Sequence, residues 1–338
     1  MSAVSLAEAR LGCSMTDGSA GFHQGPASPW DTDYHSPALA TEVVALLAGS
    51  ALVLDGTLGG GGHSKALLDH GVGRVIGLDR DPDALAAASA RLAEEAARGR
   101  FVVFQGNYAA IDAIPAIADL RFTGILLDLG ISSHQIDDAA RGFSFREGAP
   151  LDMRMGGPDD ATPSAGELLD EADERELERI FREFGDEPRA GRLAREVVRR
   201  RANRPFRTSD DLVGAIRGAL GARTGPSDFA RLFQAVRIAV NDELDGLARA
   251  LPALRDRLAA GGTLVIIAYH SGEDRLVKHA FREWSTDCIC PPRQPVCTCG
   301  GNRALGETLT RRAVTATPDE TARNPRARSA KLRAWRAR

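Results

Sequence analysis

The residues best suited to chemistry crowd into one stretch, Asp55-Gly56-Thr57-Leu58-Gly59-Gly60-Gly61-Gly62-His63-Ser64. Here an acid is followed by five glycines within seven residues. Glycine adopts φ > 0 without strain and lets a ligand approach the backbone with no Cβ in the way. An apolar run, residues 51–54, precedes the stretch, and a helical pattern over residues 62–70 follows it. Strand, glycine loop and helix together present free N–H groups to something anionic, so the loop is expected to cradle a small molecule. No Gly-Lys-Ser/Thr follows, which argues against a nucleotide phosphate loop. A G-x-G-x-x-G fingerprint starting at Gly59 would need glycine at position 64 and meets Ser64. An ordinary tight turn is the plainer alternative, but such turns seldom need so many consecutive glycines.

Further candidates stand at regular intervals beyond the loop. Asp79 lies about one βαβ unit on, where a carboxylate can accept hydrogen bonds from two ribose hydroxyls. Asp81, just before Pro82, suits the cap of the next helix and leaves Asp79 for a ligand. Tyr108 could lie against an adenine or belong to the core. Asp128 closes another apolar run. Far downstream, Cys288, Cys290, Cys297 and Cys299 form a C-x-C…C-x-C cluster. Structural zinc sites usually use C-x₂₋₄-C spacing, so reduced loop thiols are expected here and no metal.

Elements able to position these residues can be read in order. Strands are expected at 51–54, 74–78, 101–104 and 124–127, separated by helices at 82–97 and 107–118, and a fifth strand at 262–267. Near-continuous apolar strands alternating with helices predict an α/β, Rossmann-like, mostly parallel sheet covered on both faces, with its crevice at the carboxyl ends of the strands. Between Asp128 and the fifth strand the alternation breaks, and helices are expected at 165–184, 189–202 and 209–220. Residues 138–228 are therefore expected to form an inserted all-helical domain, and 31–137 with 229–338 the sheet domain; the amphipathic helix from Phe229 falls in the latter. A helix is expected from Ser36, as N-cap, with Pro37 in its first turn. Residues 1–30 read as a disordered leader, and 329–335 as an edge strand.

The formal net charge of −3 argues against a uniformly basic nucleic-acid binder, yet the charge is unevenly spread. Residues 189–207 hold eight arginines against one acid, and the tail after Glu320 holds seven Arg or Lys and no acid. Arg192, Arg195 and Arg199 fall on one side of a helix and could meet a phosphate backbone, or could pair with the acidic segment 167–187. No run approaches a membrane span and no signal peptide is evident, so a cytoplasmic protein is expected.

In combination the motifs resemble one family, the bacterial ribosomal small-subunit RNA methyltransferase H family, also called MraW or RsmH. The resemblance rests on the glycine stretch and on Leu78-Asp79-Arg80-Asp81-Pro82, Leu127-Asp128-Leu129-Gly130-Ile131-Ser132-Ser133, Arg141-Gly142-Phe143-Ser144-Phe145, Leu151-Asp152-Met153-Arg154-Met155, Phe233-Gln234-Ala235-Val236-Arg237-Ile238 and Asn324-Pro325-Arg326-Ala327-Arg328-Ser329. It covers residue 33 to the end. It implies a class I methyltransferase that uses S-adenosylmethionine to methylate N4 of a cytidine in the decoding region of 16S rRNA in the small ribosomal subunit. The cofactor contacts it implies are Gly61, Gly62, His63, Asp79, Tyr108, Asp128 and Gln135. Tyr108 stands where relatives often have Phe, His134 where many have Pro, and Gly272 where Leu is common. The acceptor of the amine hydrogens stays unassigned, with Asp128 and the backbone carbonyls of 128–132 as candidates.

A target base must leave its stack to react, and Phe143, Phe145 and Arg154 could hold it or could simply pin the inserted domain. His270 and Ser271, at the end of the fifth strand, could touch substrate, though a strand-end histidine is as often a satisfied hydrogen-bonder. Two other classes compete: a non-catalytic RNA-binding assembly factor with a retained nucleotide pocket, and a dehydrogenase. The intact acidic and glycine positions disfavour the first, and the incomplete dinucleotide fingerprint disfavours the second.

Overall fold

The computed structural model describes residues 30, 36–288, 290–291 and 294–338; the expected leader lies outside them. Seven strands form one sheet: β1 Leu52–Asp55, β2 Arg74–Asp79, β3 Phe101–Gln105, β4 Phe122–Asp128, β5 Leu258–Ala268, β6 Gly306–Thr308 and β7 Lys331–Ala337. Their order is β3-β2-β1-β4-β5-β7-β6. The first five run parallel, and β7 is antiparallel to both neighbours. This is the Rossmann-like, mostly parallel α/β sheet that the alternation of apolar strands and helices predicts. The chain starts at β1 and works outward to β3, then returns to β4 beside β1. That reversal opens a crevice at the carboxyl ends of β1 and β4.

The central strands are apolar throughout because helices cover both faces. Leu54, Ile76, Ile125, Leu127, Leu264 and Ile266 pack with the helices Glu243–Asp256 and Ser271–Trp284. Val53, Val75, Leu126, Val265 and Ile267 pack on the other face with Val43, Leu47, Leu67 and Ala88. A third core holds the insert, built by Ala165–Glu171, Glu174–Arg179, Ala190–Arg201 and Ser209–Leu220.

Several expectations change. The helix Pro226–Val240 turns Phe229, Leu232, Phe233, Val236 and Val240 into the insert's core, so the seam at 228 cuts off an element whose packing belongs to the insert. The tail strand is not an edge: β7 lies between β5 and β6, with Leu332, Ala334 and Trp335 fully buried. Ser36 and Pro37 do not start a helix. Leu39 takes φ 54° and donates its N–H to Glu320 Oε1 at 2.7 Å, which delays the helix to Ala40–Leu47. Residues 107–118 form two short 3₁₀ turns, Tyr108–Ala113 and Pro115–Ile117, because Pro115 interrupts the backbone bonding. The Ala-rich helix breaks at Leu92 into Pro82–Arg91 and Ala93–Ala97.

Candidate functional site

The glycine loop leaves β1 and turns into the helix Gly62–Asp69 through Gly59 at φ 51° and Gly61 at φ 75°. Gly61 is fully occupied by the turn. Its N–H donates to Leu58 O and its carbonyl accepts the Lys65 N–H, each at 2.9 Å. A Cβ there would sit 3.3 Å from Ala88 Cβ, so Gly61 faces the neighbouring helix and not the crevice. Pro37 roofs the next residue, where a Cβ on Gly62 would come within 3.1 Å of its ring. Asp55 is buried beneath the loop and accepts Ser64 Oγ–H at 2.7 Å; burial raises its carboxyl above the usual range. It clamps the helix start from below. The N–H groups of Gly62 and His63 have no acceptor among the described residues.

Four strand ends surround this helix start. Asp79 accepts the Gly59 N–H at 2.8 Å with one oxygen and the Asp81 N–H at 3.0 Å with the other. Burial pushes its carboxyl up to about 6. Asp81 caps the following helix through the Asp83 N–H, as the sequence suggests. At Asp128, one oxygen lies 3.2 Å from His63 Nε2 and the other accepts the Tyr269 O–H at 2.9 Å. The Asp128 N–H donates to Thr57 Oγ1 at 2.6 Å, so the ends of β1, β4 and β5 are tied at one residue. Gln135 is pinned at both ends of its amide: it donates to Asp81 Oδ2 at 2.8 Å and accepts the Ser132 N–H at 3.0 Å. Arg141 shares that Asp81 oxygen at 3.0 Å.

These groups open on one cleft of about 1040 Å³, counting the space at its mouth, lined also by Leu58, Tyr108, Leu129, Met155 and Glu243. Gly62, His63, Asp79, Tyr108, Asp128 and Gln135 all reach it; Gly61 does not. Desolvation keeps the hydroxyls of Tyr108 and Tyr269 protonated, well above their ordinary range. At one wall, buried Glu243 forms a bidentate pair with half-buried Arg237 at 2.8 and 2.9 Å.

The matches to known proteins follow this geometry. The sequence model of the MraW methylase family covers residues 32–338. The chain belongs to that family. It is 64% identical over 304 residues to the ribosomal RNA small subunit methyltransferase H of Gemmatimonas aurantiaca, covering 90% of this chain and 95% of that protein. The protein of the same description from Heliobacterium modesticaldum is 48% identical over 310 residues, covering 89% and 97%. As a methylase of this family, the chain uses S-adenosylmethionine. The cleft suits that molecule, since it offers unpartnered N–H donors beside a glycine-walled floor and a carboxylate with lone pairs to spare.

Other sequence candidates fall elsewhere in the methylase. Phe143 is buried in the insert's core, and Phe145 packs edge-on against Phe229 and Phe233 with centroids 5.9 and 6.0 Å away. The Arg154 guanidinium is held by Asp152 and the Asp160 carbonyl, while Phe145 stays 37% exposed. His270 caps the helix Ser271–Trp284, and its Nε2 lies 3.2 Å from Glu273 Oε1. Tyr269, Glu243 and Thr57 were not singled out from sequence. Tyr269 carried a usable signal, because it follows the fifth apolar strand as Asp128 follows the fourth. Glu243 carried none, since its place depends on how the insert's last helix returns to the sheet. Among the described residues no helix is long and apolar enough to cross a membrane.

Proposed function

We propose that this chain transfers a methyl group from S-adenosylmethionine to N4 of a cytidine in the decoding region of 16S rRNA, acting on the small ribosomal subunit in the cytoplasm. The names of its relatives support the rRNA substrate. The N4 position rests on the family resemblance of the motifs and on the chemistry of the cleft. One observation carries the reading: the free N–H groups of Gly62 and His63 and the carboxylates of Asp79 and Asp128 converge on a single cleft in a chain of a methylase family.

Bound S-adenosylmethionine supplies an electrophilic methyl on a sulfonium. The Gly62 and His63 N–H groups, at a helix start, would hold its carboxylate. Asp79 would accept the ribose hydroxyls, and Tyr108 would face the adenine. Gly61 contributes by setting the turn, and Gln135 by holding the loop after β4 against Asp81. Methyl transfer is largely a matter of alignment, so this rigid bonding is itself the catalytic contribution. The cytosine N4 lone pair is delocalised into the ring. An Asp128 oxygen that accepts an N4–H hydrogen draws the nitrogen toward a pyramidal shape, with its lone pair freed. Tyr269 and His63 fix the orientation of that carboxylate.

For RNA, the helix Ala190–Arg201 buries Leu193, Ala194 and Val197 and exposes Arg192, Arg195 and Arg199. Of these three, Arg195 alone reaches the acidic segment expected as the alternative partner, at Glu174 3.8 Å away, while Arg199 meets Glu196 of its own helix at 2.7 Å. Exposed pairs of this kind are weak and exchange readily for phosphates. The test is in vitro. Undermethylated small subunits are incubated with the protein and methyl-labelled S-adenosylmethionine, and the rRNA nucleosides are separated. The label is expected in N4-methylcytidine; label in any other nucleoside would overturn the assignment.

A further inference from the structure

Between the helix Ser271–Trp284 and β6 the described residues of 285–305 form no regular secondary structure. Loops of that length need a reason to hold one shape. Apolar burial supplies little of it, because Val296 is 71% exposed and Leu305 49% exposed. The loop is clipped at its base, where the Leu305 N–H donates to Trp284 O at 2.8 Å and the Arg303 N–H to Asp287 O at 3.2 Å. Beyond that base its described residues converge on the four cysteines, with Gln294 Nε2 donating to Val296 O at 2.9 Å and to Thr298 Oγ1 at 2.8 Å beside them.

Cys288, Cys290, Cys297 and Cys299 bring their sulfurs within 4.8 Å of one another. Measured pairs are 3.7 Å for Cys288–Cys297, 4.0 Å for Cys290–Cys297, 3.5 Å for Cys297–Cys299 and 3.6 Å for Cys288–Cys299. Disulfides would place two pairs at about 2.05 Å, and no such pair is present among these four. Near-uniform separation has a simple reading. Four sulfurs each about 2.3 Å from a tetrahedral zinc ion lie about 3.8 Å apart. The Thr298 N–H also points at Cys290 Sγ at 3.3 Å, the kind of donor that steadies a metal-bound thiolate.

We infer that Cys288, Cys290, Cys297 and Cys299 bind one zinc ion that staples this loop. C-x-C spacing argues against zinc when each pair is considered alone. The chain turns back between the two pairs, however, and a site assembled from both does not depend on one pair's chelate geometry. The ion takes the place of the core that the loop lacks, and fixes the connection from the helix to β6. It lies apart from the cofactor cleft, none of whose lining residues comes from this loop.

The full-length reduced protein is offered zinc in competition with a chromophoric chelator of nanomolar affinity, and the metal it retains is counted by mass spectrometry. About one zinc per chain is expected, falling to about none in Cys288→Ser/Cys297→Ser. Cobalt in place of zinc is expected to show tetrahedral thiolate bands that the double variant loses. Circular dichroism of the variant should match the parent, since the loop adds no core. Zinc left entirely with the chelator while the loop thiols titrate freely would overturn the inference, as would iron in its place.

Discussion

Asp79 offers the sharpest quantitative test, because its carboxyl sits near 6 and not at the usual 3.8. If the ionised carboxylate accepts the ribose hydroxyls, cofactor affinity scales with its ionised fraction. The apparent Kd for S-adenosylmethionine should then rise about 2-fold at about pH 6 and about 11-fold at about pH 5, relative to about pH 8. Folding responds with the opposite sign. A buried carboxyl raised above its unfolded value favours the protonated native state, so its stabilisation is complete below about 3.8 and is lost as pH rises through about 6. The interval is worth roughly 3 kcal/mol before solvent at the cleft mouth screens it. Asp79→Asn should remove this part of both profiles, leaving a residual folding slope from Asp55, which burial also raises. The variant also loses a charged acceptor for the Gly59 and Asp81 N–H groups, so affinity at neutral pH should drop by roughly 1.5 to 3 kcal/mol, or about 10- to 150-fold. Titration calorimetry across this range, with thermal unfolding alongside, reads both. A pH-independent Kd in the parent protein, or the same pH dependence in Asp79→Asn, would refute the role.

Three further outcomes are expected. Gly61→Ala places a Cβ at φ 75° and 3.3 Å from Ala88 Cβ, and should cost about 1 to 3 kcal/mol in chemical unfolding. Asn241→Ala should cost about 2 to 4 kcal/mol, because it strips partners from the Met153 carbonyl and the Met155 N–H, which Asn241 holds at 2.7 and 2.8 Å; a melting temperature matching the parent's would contradict this. Replacing Arg192, Arg195 and Arg199 with Gln should reduce the salt slope of RNA binding by roughly 0.7 to 0.9 per lost phosphate contact, with cofactor affinity unchanged. An unchanged slope would move the RNA contact to another surface.

The rule that ligands gather at the carboxyl ends of parallel strands was legible because Asp55, Asp79 and Asp128 each end an apolar run, and the structure brings all three to one end of the sheet. Local chemistry was legible for the same reason at Asp81, whose capping role depends only on Pro82 and Asp83. What failed depended on distant partners. β7 lies inside the sheet because a short strand more than twenty residues earlier pairs with it, and alternating Leu332 and Arg333 cannot announce that neighbour. The helix Pro226–Val240 carries an apolar stripe that fits either core, and only the fold decides which one. Gly61 was implied as a cofactor contact by the resemblance alone, and the space its Cβ would take is filled by Ala88 and Leu92, neighbours that a single glycine cannot announce.

The central claim is tested most directly in cells. Small-subunit rRNA from a strain lacking this protein should lose methylation at N4 of one decoding-region cytidine by nucleoside mass spectrometry. The parent gene should restore it and Asp128→Ala should not. Unchanged N4 methylation in the deletion strain, or full restoration by Asp128→Ala, would contradict the assignment of substrate or of the Asp128 carboxylate respectively.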